Sequence, residues 1–501
     1  MARRAWLFGK SVCALFLVSA AMAVGLAAQT FTTPFSFDGA NGGDPAGALI
    51  QGADGNLYGT TQSDGPYGGG TLFKITPDGA QATLYNFCSL TDCADGDFPY
   101  AALTLAGNGD FYGTTSQGGV SSKCTTLFGC GTIFKITPAG ALTTLYTFCS
   151  QAKCADGSQP FSQLVLTSNG DLYGVAQFGG AYPSTEFPGS TAGTIFKITP
   201  SGTLTTLYNF CSLTDCADGE LPDNLIQSAN GDFFGATGYG GANRQGAFFK
   251  FTPTGTYTTL YSFCSILVDH LCADGAQPAL TGQAADGDFY GVARYGSANG
   301  KGGTIFKVTP SGTLTTLYSF CAEKDGDVCL DGQTPNNMVL ATDGNYYGTT
   351  YQGGSSAQAG TIFKMTPSGT LTTLYVFCSE TGCTDGEEPL GTPFQATNGD
   401  FYGTTSQGGL VNDGDVWSLS VGLGPFVETL PAFGKVGEAV QILGTHLAGA
   451  TSVTFDGTAA AFTVASATQI EARVPAGASS GKIRVVTPGG TLSTAAPFVV
   501  R

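Results

Sequence analysis

Carboxylates are the reactive side chains that this sequence repeats. Asp-Gly pairs follow six of the close cysteine pairs, at Asp95, Asp156, Asp218, Asp274, Asp331 and Asp385. In such a turn the Asp side chain caps backbone amides and the Gly takes a positive φ, so recurrence favours a structural role. Calcium is the alternative, because it takes about six to eight oxygen ligands and three of the loops add further acids. The calcium candidates are Asp92, Asp95 and Asp97; Asp215, Asp218 and Glu220; and Asp325, Asp327 and Asp331.

Other catalytic groups are scarce. The chain has two histidines, His270 and His446, and neither has a nucleophile motif nearby, so Ser–His–Asp and Cys–His catalysis lack their base. A glycosidase or polysaccharide lyase would need two carboxylates, or a base with a positive stabiliser, in one cleft. The acidic residues here recur from unit to unit, and no group of them forms a unique cluster. The sequence predicts a non-catalytic binding, adhesion or cell-envelope scaffold protein without a cofactor; the alternative is an extracellular polysaccharide-degrading enzyme, a glycosidase or lyase, that uses loop carboxylates.

Residues 1–28 have the layout of a secretory signal peptide. Arg3, Arg4 and Lys10 are followed by an apolar run to Ala28, which predicts export to the cell surface, the periplasm or the medium. The mature chain is expected to have no transmembrane segment; an uncleaved N-terminal anchor is the alternative. With 20 basic and 37 acidic residues, the formal net charge is −17, and no stretch is rich in Lys or Arg. This excludes a nucleic-acid-binding surface.

The cysteines indicate a disulfide framework. One of the 15, Cys13, lies in the apolar leader, and the other 14 form seven close pairs. The pairs are Cys88/Cys93, Cys124/Cys130, Cys149/Cys154, Cys211/Cys216, Cys264/Cys272, Cys321/Cys329 and Cys378/Cys383. An even number behind a signal peptide favours disulfides over the alternative of zinc, because almost no histidine lies nearby and the spacing is not that of the usual C-x2-C knuckle. Each ring is small, so each bond is expected to contribute about 2 kcal/mol and to pin its own loop.

A repeat dominates residues 31–420. Its clearest part is an aromatic residue followed by glycine, which recurs at intervals of 54 to 61 residues. The seven pairs begin at Tyr58, Tyr112, Tyr173, Phe234, Tyr290, Tyr347 and Tyr402. Two further segments recur with it, such as TIFKITP at Thr132–Pro138 and LTTLYTF at Leu142–Phe148. With 75 glycines, 11 % charged residues and no three-residue glycine period, the chain is a turn-rich β protein and not a collagen or a disordered polymer.

Each unit contains four short β-prone runs separated by turn residues. In the second unit, Asn108-Gly109 predicts a two-residue hairpin, and Thr137–Gly140 predicts a type I turn with Pro at its second position. One unit is therefore a four-stranded meander, and seven units predict an all-β, seven-bladed β-propeller over residues 29–421. The seventh unit stops after its third strand at Ser420, and the missing strand stands at Phe31–Phe37. We therefore expect these two ends to pair and close the ring.

The units, G-N/D-F-Y-G-T-T…G-G…G-T-I-F-K-I-T-P-x-G-x-L-T-T-L-Y-x-F, resemble the Gloeo/Verruco-type (GloVer, choice-of-anchor) tandem repeat of bacterial exported proteins. The resemblance implies an exported surface or envelope protein and carries no agreed activity. After the linker Val421–Pro425, residues 426–501 resemble an IPT/TIG domain, an immunoglobulin-like β-sandwich. That resemblance rests on VQILGTHLAGATSVTFDG at Val440–Gly457 and TQIEARVPAGASSGKIRVVTPGG at Thr468–Gly490. It implies a spacer or an interaction module.

The variable loops indicate where a ligand would bind. Successive turns of a meander alternate between the two ends of the strands. The cysteine loops therefore share one face with the connections that follow each aromatic-Gly strand. These connections vary most, and they include the Cys124–Cys130 loop and the long Gln177–Gly193 loop with Tyr182 and Phe187. Because binding surfaces concentrate on variable loops of a rigid scaffold, we expect a glycan or an envelope protein to contact Tyr182 and Phe187. Tolerated insertions without a ligand are the alternative.

Overall fold

The computed structural model describes residues 29–121, 124 and 129–501. The predicted signal peptide, with Cys13, and most of the Cys124–Cys130 loop lie outside the described residues. The described part is all β, as predicted. Its helical segments are single 3-10 turns, at Thr91–Cys93, Ala152–Cys154 and Thr214–Cys216. No helix in this part is long and apolar enough to cross a membrane.

The described residues between 30 and 420 form seven four-stranded antiparallel sheets, numbered here by the order of their first strands. The first strands are Ile50–Gln51, Thr104–Leu105, Val165–Leu166, Glu220–Gln227, Ala276–Gln283, Gln333–Leu340 and Phe394–Gln395. The second strands are Leu57–Thr61, Phe111–Thr115, Leu172–Ala176, Phe233–Tyr239, Phe289–Tyr295, Tyr346–Gln352 and Phe401–Thr405. The third strands are Thr71–Ile75, Thr132–Ile136, Thr194–Ile198, Ala247–Phe251, Thr304–Val308, Thr361–Met365 and Asp415–Ser420. The fourth strands of sheets 1 to 6 are Gln81–Asn86, Leu142–Thr147, Leu204–Asn209, Tyr257–Ser262, Leu314–Ser319 and Leu371–Val376.

The N-terminal strand is the fourth strand of sheet 7, as predicted. Thr30–Ser36 pairs antiparallel with Asp415–Ser420, so that Thr30 lies opposite Ser420. Phe31 stacks on Tyr375 of sheet 6 with ring centroids 3.7 Å apart. The first and the last strands of the repeat region therefore lie side by side, and the strand at residues 415–420 has no unpaired outer edge.

The aromatic-Gly pairs determine how neighbouring sheets pack. The ring of Tyr58 in sheet 1 lies 4.4 Å from that of Phe111 in sheet 2. The glycine is required because the phenylalanine of the third strand lies across it: a Cβ on Gly59 would stand 2.7 Å from the ring of Phe73. Aromatic pairs at this separation stabilise the packing by more than the burial of their surface area alone would. The recurrence of the pair is therefore explained by packing between sheets.

The Asn-Gly hairpins differ from the prediction. The N–H of Gly109 donates to the carbonyl of Ala106 (2.9 Å), and the N–H of Ala106 donates to the carbonyl of Asp110 (2.8 Å). Gly109 has a φ of 86°, in the left-handed region. The loop is therefore a three-residue type I turn with a glycine bulge, and the prediction of a two-residue hairpin at Asn108-Gly109 was wrong. The turn over Thr137–Gly140 has its predicted hydrogen bond.

Residues 427–500 form a C-terminal unit with two four-stranded sheets. The first contains Val427–Leu430, Ala439–Gly444, Gln469–Arg473 and Phe462–Val464. The second contains Thr458–Ala459, Ser452–Phe455, Ile483–Thr487 and Gly490–Ser493. The short strands Phe433–Gly434 and Val499–Val500 pair in parallel. The unit has its own core, in which Ile442, Ile470 and Val485 are inaccessible to solvent.

The two ends of the sheets form two different faces. We call the end with the Asn-Gly hairpins and the Pro-x-Gly turns the hairpin face, and the C-terminal unit packs against it. There the Thr468 hydroxyl donates to the carbonyl of Ala53 (2.7 Å), and the Gln441 amide donates to the carbonyl of Gly107. We call the opposite end, with the cysteine loops and the connections between second and third strands, the loop face.

Candidate functional site

The described residues form the seven disulfide bonds that the cysteine spacing predicts. The Cys211–Cys216 ring contains a single 3-10 turn. The two longest rings contain short hairpins, which are Leu267–Val268 with Leu271–Cys272 and Lys324–Asp325 with Val328–Cys329. Carbonyls of five cysteine loops accept a hydrogen bond from the connection between the second and third strands of the next sheet, as where the N–H of Gly241 donates to the carbonyl of Cys216 (2.9 Å). Each disulfide closes a ring within one loop, and backbone hydrogen bonds of this kind hold the two loop sets together.

The six Asp-Gly carboxylates are bonded within their own loops. Each is at most 2 % exposed and accepts a hydrogen bond of 2.7–2.8 Å from a tyrosine hydroxyl of the preceding fourth strand. Asp95 also accepts bonds from the N–H and the hydroxyl of Ser89 (3.0 and 2.7 Å). Burial and the nearby carboxylate raise the pKa of these tyrosines, to about 12 for Tyr261. The arrangement ties each cysteine loop to its sheet.

The three sets of calcium candidates are divided between solvent and core. Asp92, Asp215, Asp325 and Asp327 are exposed, Asp97 is half-buried, and Asp95, Asp218, Glu220 and Asp331 are buried. In the part of the chain that the structure describes, none of the sets brings three carboxylate oxygens within 4.8 Å of one another. The groups of three ligand atoms that do meet there each include the two sulfurs of a disulfide. Calcium binding by these loops stays a prediction.

Glu220 holds the long loop of sheet 3. Its buried carboxylate accepts hydrogen bonds from the N–H and the hydroxyl of Thr185, at 2.8 and 2.7 Å. On the same loop Tyr182 is 41 % exposed and Phe187 is 39 % exposed. The ring of Phe187 also packs edge-on against Tyr239 of sheet 4, with centroids 5.6 Å apart. The two aromatic residues that the sequence predicts for a ligand face are therefore exposed on a loop with defined contacts.

A cavity of about 1290 Å³ is lined by residues in, or just before, the first strands of the seven sheets, and we call it the central cavity. The residue after the recurrent proline of each unit lines it, namely Ala46, Tyr100, Phe161, Asp223, Ala279, Asn336 and Leu390. At the hairpin face the C-terminal unit contributes Lys482, Ala495, Ala496, Pro497 and Val499. The cavity exceeds the ~300–1,000 Å³ of ordinary small-molecule pockets, so it has room for an oligomeric ligand.

Three charged residues without an ion pair to any described residue line the central cavity: Asp223 and Arg294 on its wall, and Lys482 of the C-terminal unit at the hairpin face. Asp223 lies in the first strand of sheet 4, and Arg294 lies in the second strand of sheet 5. Among the described residues, neither side chain makes an ion pair within 4.0 Å or a hydrogen bond. Burial raises the pKa of Asp223 against the opposing charge of Arg294. Burial works against the charge on Arg294, but Asp223 and Tyr100 leave the pKa of Arg294 raised.

Other polar side chains of the cavity wall are bonded between sheets. The amide of Asn224 donates to the carbonyl of Leu280 (2.7 Å), and the hydroxyl of Thr281 donates to the amide oxygen of Asn337 (2.6 Å). These bonds tie the first strands of neighbouring sheets together. They leave the charges of Asp223 and Arg294 available to a ligand.

Asp223 and Arg294 are not among the candidate residues that the sequence indicated. Both residues stand at repeat positions where the other units carry different side chains, so a search for recurring residues does not find them. After the recurrent proline, the seven units carry Ala, Tyr, Phe, Asp, Ala, Asn and Leu. Four residues after the aromatic of the aromatic-Gly pair, they carry Gln, Ser, Gln, Gly, Arg, Tyr and Ser. The sequence does contain a signal for them: each is a charged residue at a repeat position where the other six units carry an uncharged one.

A second cavity, of about 200 Å³, lies at the junction of the repeat region and the C-terminal unit. Ile50, Thr104 and Leu443 line it together with Glu428. Burial raises the pKa of Glu428 to about 7. The junction therefore contains a carboxyl group that changes charge near neutral pH.

Two solved structures are similar to nearly the whole chain. The extracellular domain of BT4673 from B. thetaiotaomicron has 10 % identity and a TM-score of 0.50; the match covers 93 % of this chain and 52 % of that one. The chain thus spans about half the length of that domain. A fungal alcohol oxidase of the AA5 family, solved in complex with copper, has 13 % identity and a TM-score of 0.50, with 94 % and 99 % covered. At these identities the likeness shows the fold alone. A search of curated proteins found no match.

Consecutive four-stranded meanders around a central cavity define a repeat-built, all-β protein of propeller-like architecture. The chain belongs to the Gloeobacter/Verrucomicrobia repeat family, whose sequence model matches residues 20–128, 95–269 and 264–468. The family resemblance inferred from the repeated motif is thereby confirmed.

Proposed function

We propose that the protein is an exported, non-catalytic binding protein that recognises a glycan at the loop face and in the central cavity. The observation that carries the proposal is a large cavity with two charges, Asp223 and Arg294, that no described residue pairs. Tyr239 contacts Phe187 on the loop face and interacts electrostatically with Arg294. It therefore connects the exposed aromatic residues to the cavity.

The chemistry of the site fits a sugar. A sugar ring presents apolar C–H faces, which pack on aromatic rings, and hydroxyl groups, which both donate and accept hydrogen bonds. Tyr182 and Phe187 supply exposed rings, Asp223 supplies an acceptor and Arg294 supplies donors. A loop already held by Glu220 loses less entropy when a ligand binds.

The proposal includes the architecture and the location. We take residues 1–28 as a signal peptide, 29–421 as a closed seven-bladed propeller, and 426–501 as an IPT/TIG sandwich. The seven sheets, the pairing of Thr30–Ser36 with Asp415–Ser420 and the two C-terminal sheets support this division. Seven disulfide bonds support an oxidising compartment, and therefore export to the periplasm, the cell surface or the medium.

Retention on a panel of immobilised polysaccharides tests the proposal. We expect residues 29–501 to retain at least one glycan, and a Tyr182→Ala, Phe187→Ala double variant to lose about 10-fold in affinity. Tyr67→Ala is the matched control, because Tyr67 is 57 % exposed on another connection of the loop face. Full affinity in the double variant would move the site elsewhere. Capture of an envelope protein without any glycan retention would replace the sugar by a protein partner.

A polysaccharide lyase is the second candidate, favoured by the positive charge of Arg294 near Asp223 and Tyr100. In such an elimination a base removes the proton on the carbon next to a uronate carboxylate, the glycosidic C–O bond breaks, and the leaving oxygen takes up a proton. The products are an unsaturated sugar and a free hydroxyl end. A positive group stabilises the charge that develops on the carboxylate. Rising ultraviolet absorbance of uronate polymers incubated with the protein supports the lyase, whereas retention without product supports binding alone.

A further inference from the structure

We infer that the central cavity contains a subsite for one uronic acid, whose carboxylate pairs with Arg294 and whose hydroxyl groups donate to Asp223. The inference rests on the proposed glycan-binding function and names the class of sugar.

Arg294 is the reason to expect an acid. Its planar guanidinium carries five N–H donors that match a carboxylate in a paired geometry. None of the described residues accepts these donors, and Asp223 lies beyond the 4.0 Å of an ion pair. Arg294 is half-buried and lines the cavity, so its unpaired donors are open to a ligand. A ligand carboxylate would supply the missing partner.

Asp223 is the reason to expect a sugar and not a simple anion. An ionised carboxylate only accepts hydrogen bonds, so Asp223 repels a second anion but binds hydroxyl donors. A uronic acid carries a carboxylate and several hydroxyl groups on one ring, and it can therefore satisfy both residues at once. Tyr100 lines the same cavity, and its ring packs edge-on against Phe161 at 5.4 Å.

Arg294 is the arginine in the wall of the central cavity. The chain has a net charge of −17, and of the two lysines that line the cavity, Lys250 is paired with Asp232 and Lys482 lies at the hairpin face. On the loop face, Glu388 accepts a hydrogen bond from Tyr351 (2.7 Å), and Asp44 interacts electrostatically with Glu388. Long-range attraction of a polyanion is therefore weak. Preference for an acidic sugar must come from local pairing with the guanidinium.

Calorimetry on residues 29–501 tests the inference with methyl glucuronide and methyl galacturonide. Each is compared with its uronamide, which has the same shape without the charge, and with the neutral methyl glycoside. We expect the uronates to bind about 10-fold more tightly than the uronamides, as a charge-assisted pair allows. Arg294→Gln should abolish that preference, while Asp223→Asn should weaken all the sugars and retain it. Arg244→Gln, on an exposed arginine of the loop face, is the matched control and should change nothing.

The outcomes separate the inference from the proposed function. If uronates and uronamides bind equally, or if Arg294→Gln keeps the preference, the subsite is wrong while glycan binding stands. If no sugar in the assay or on the polysaccharide panel binds, the proposed function fails and the subsite with it. Should Arg294→Gln fail to fold, the comparison of uronate with uronamide on the unaltered protein still decides the matter.

Discussion

The carboxylate of Glu220 accepts hydrogen bonds from both polar hydrogens of Thr185, the N–H at 2.8 Å and the hydroxyl at 2.7 Å. Glu220 begins the first strand of sheet 4, whereas Thr185 lies in the long connection of sheet 3. The hydroxyl of Ser184 donates to the same carboxylate at 2.7 Å. One buried acid of a neighbouring sheet therefore sets the shape of the loop that carries Tyr182 and Phe187.

Replacing Glu220 by Ala should loosen this loop. The change leaves four donors without their acceptor, since the N–H of Glu186 also donates to it (3.5 Å), at a cost of about 1–3 kcal/mol. We expect faster hydrogen exchange over residues 181–191 and a lower glycan affinity, with the rest of the protein unchanged. Glu186→Ala, at an exposed acid of the same loop, serves as the control. Unaltered exchange in the Glu220 variant would contradict the role given to this carboxylate.

Deleting residues 30–37 should expose the edge of Asp415–Ser420. Open strand edges pair with other chains, so we expect aggregation and a lower melting temperature. The measurement is size-exclusion chromatography with thermal unfolding. A synthetic peptide of residues 29–38, added during refolding, should restore the monomer. A deletion variant that stays monomeric with its melting temperature intact would argue against closure by this strand.

Asp415 should make stability fall as the pH rises towards neutrality. Burial raises its pKa from 3.8 to about 7, against an opposing hydrogen bond from Ser36. Between these values the folded state holds a proton that the unfolded chain has lost, so the contribution of Asp415 to stability is fully present below about pH 4 and is lost as the pH rises through about 7. Asp415→Asn should remove this dependence and add up to about 4 kcal/mol at about pH 8. Urea unfolding across this range, with Asp327→Asn as an exposed control, measures it. Parallel pH profiles for Asp415→Asn and the unaltered protein would refute the assignment.

Glu428 should weaken the junction of the C-terminal unit above neutral pH. Its carboxyl group is neutral while protonated, and burial raises its pKa to about 7, so it becomes charged beside the 200 Å³ cavity as the pH rises. We expect protease cleavage in the Val421–Pro425 linker to accelerate above about pH 7. Glu428→Gln should keep the slow rate at every pH. Equal acceleration in both proteins would place the pH response in another group.

The sequence predicted the features that recur in each unit and the strand pairing between the two ends of the repeat region. The disulfide pairs followed from spacing, and the pairing of Thr30–Ser36 with Asp415–Ser420 followed from a strand missing at one end and present at the other. The form of the Asn108-Gly109 turn did not follow, because the same dipeptide suits two loop lengths and only the strand register selects one. Asp223 and Arg294 did not follow either. They stand 71 residues apart in different sheets, and only the arrangement of the sheets around the cavity brings them into electrostatic contact.

The pairing of Thr30 with Ser420 has a kinetic consequence for how the chain reaches its folded state. Each meander forms from neighbouring residues, so sheets 1 to 6 can assemble one after another as the chain emerges. Sheet 7 needs two segments 390 residues apart, and the search for that contact carries the largest loop-closure entropy in the repeat region. The N-terminal strand must therefore wait, unpaired, until the last repeat has arrived. Completion of sheet 7 is then the slow, final step in folding of the repeat region, and it takes place once both ends of that region are available to pair.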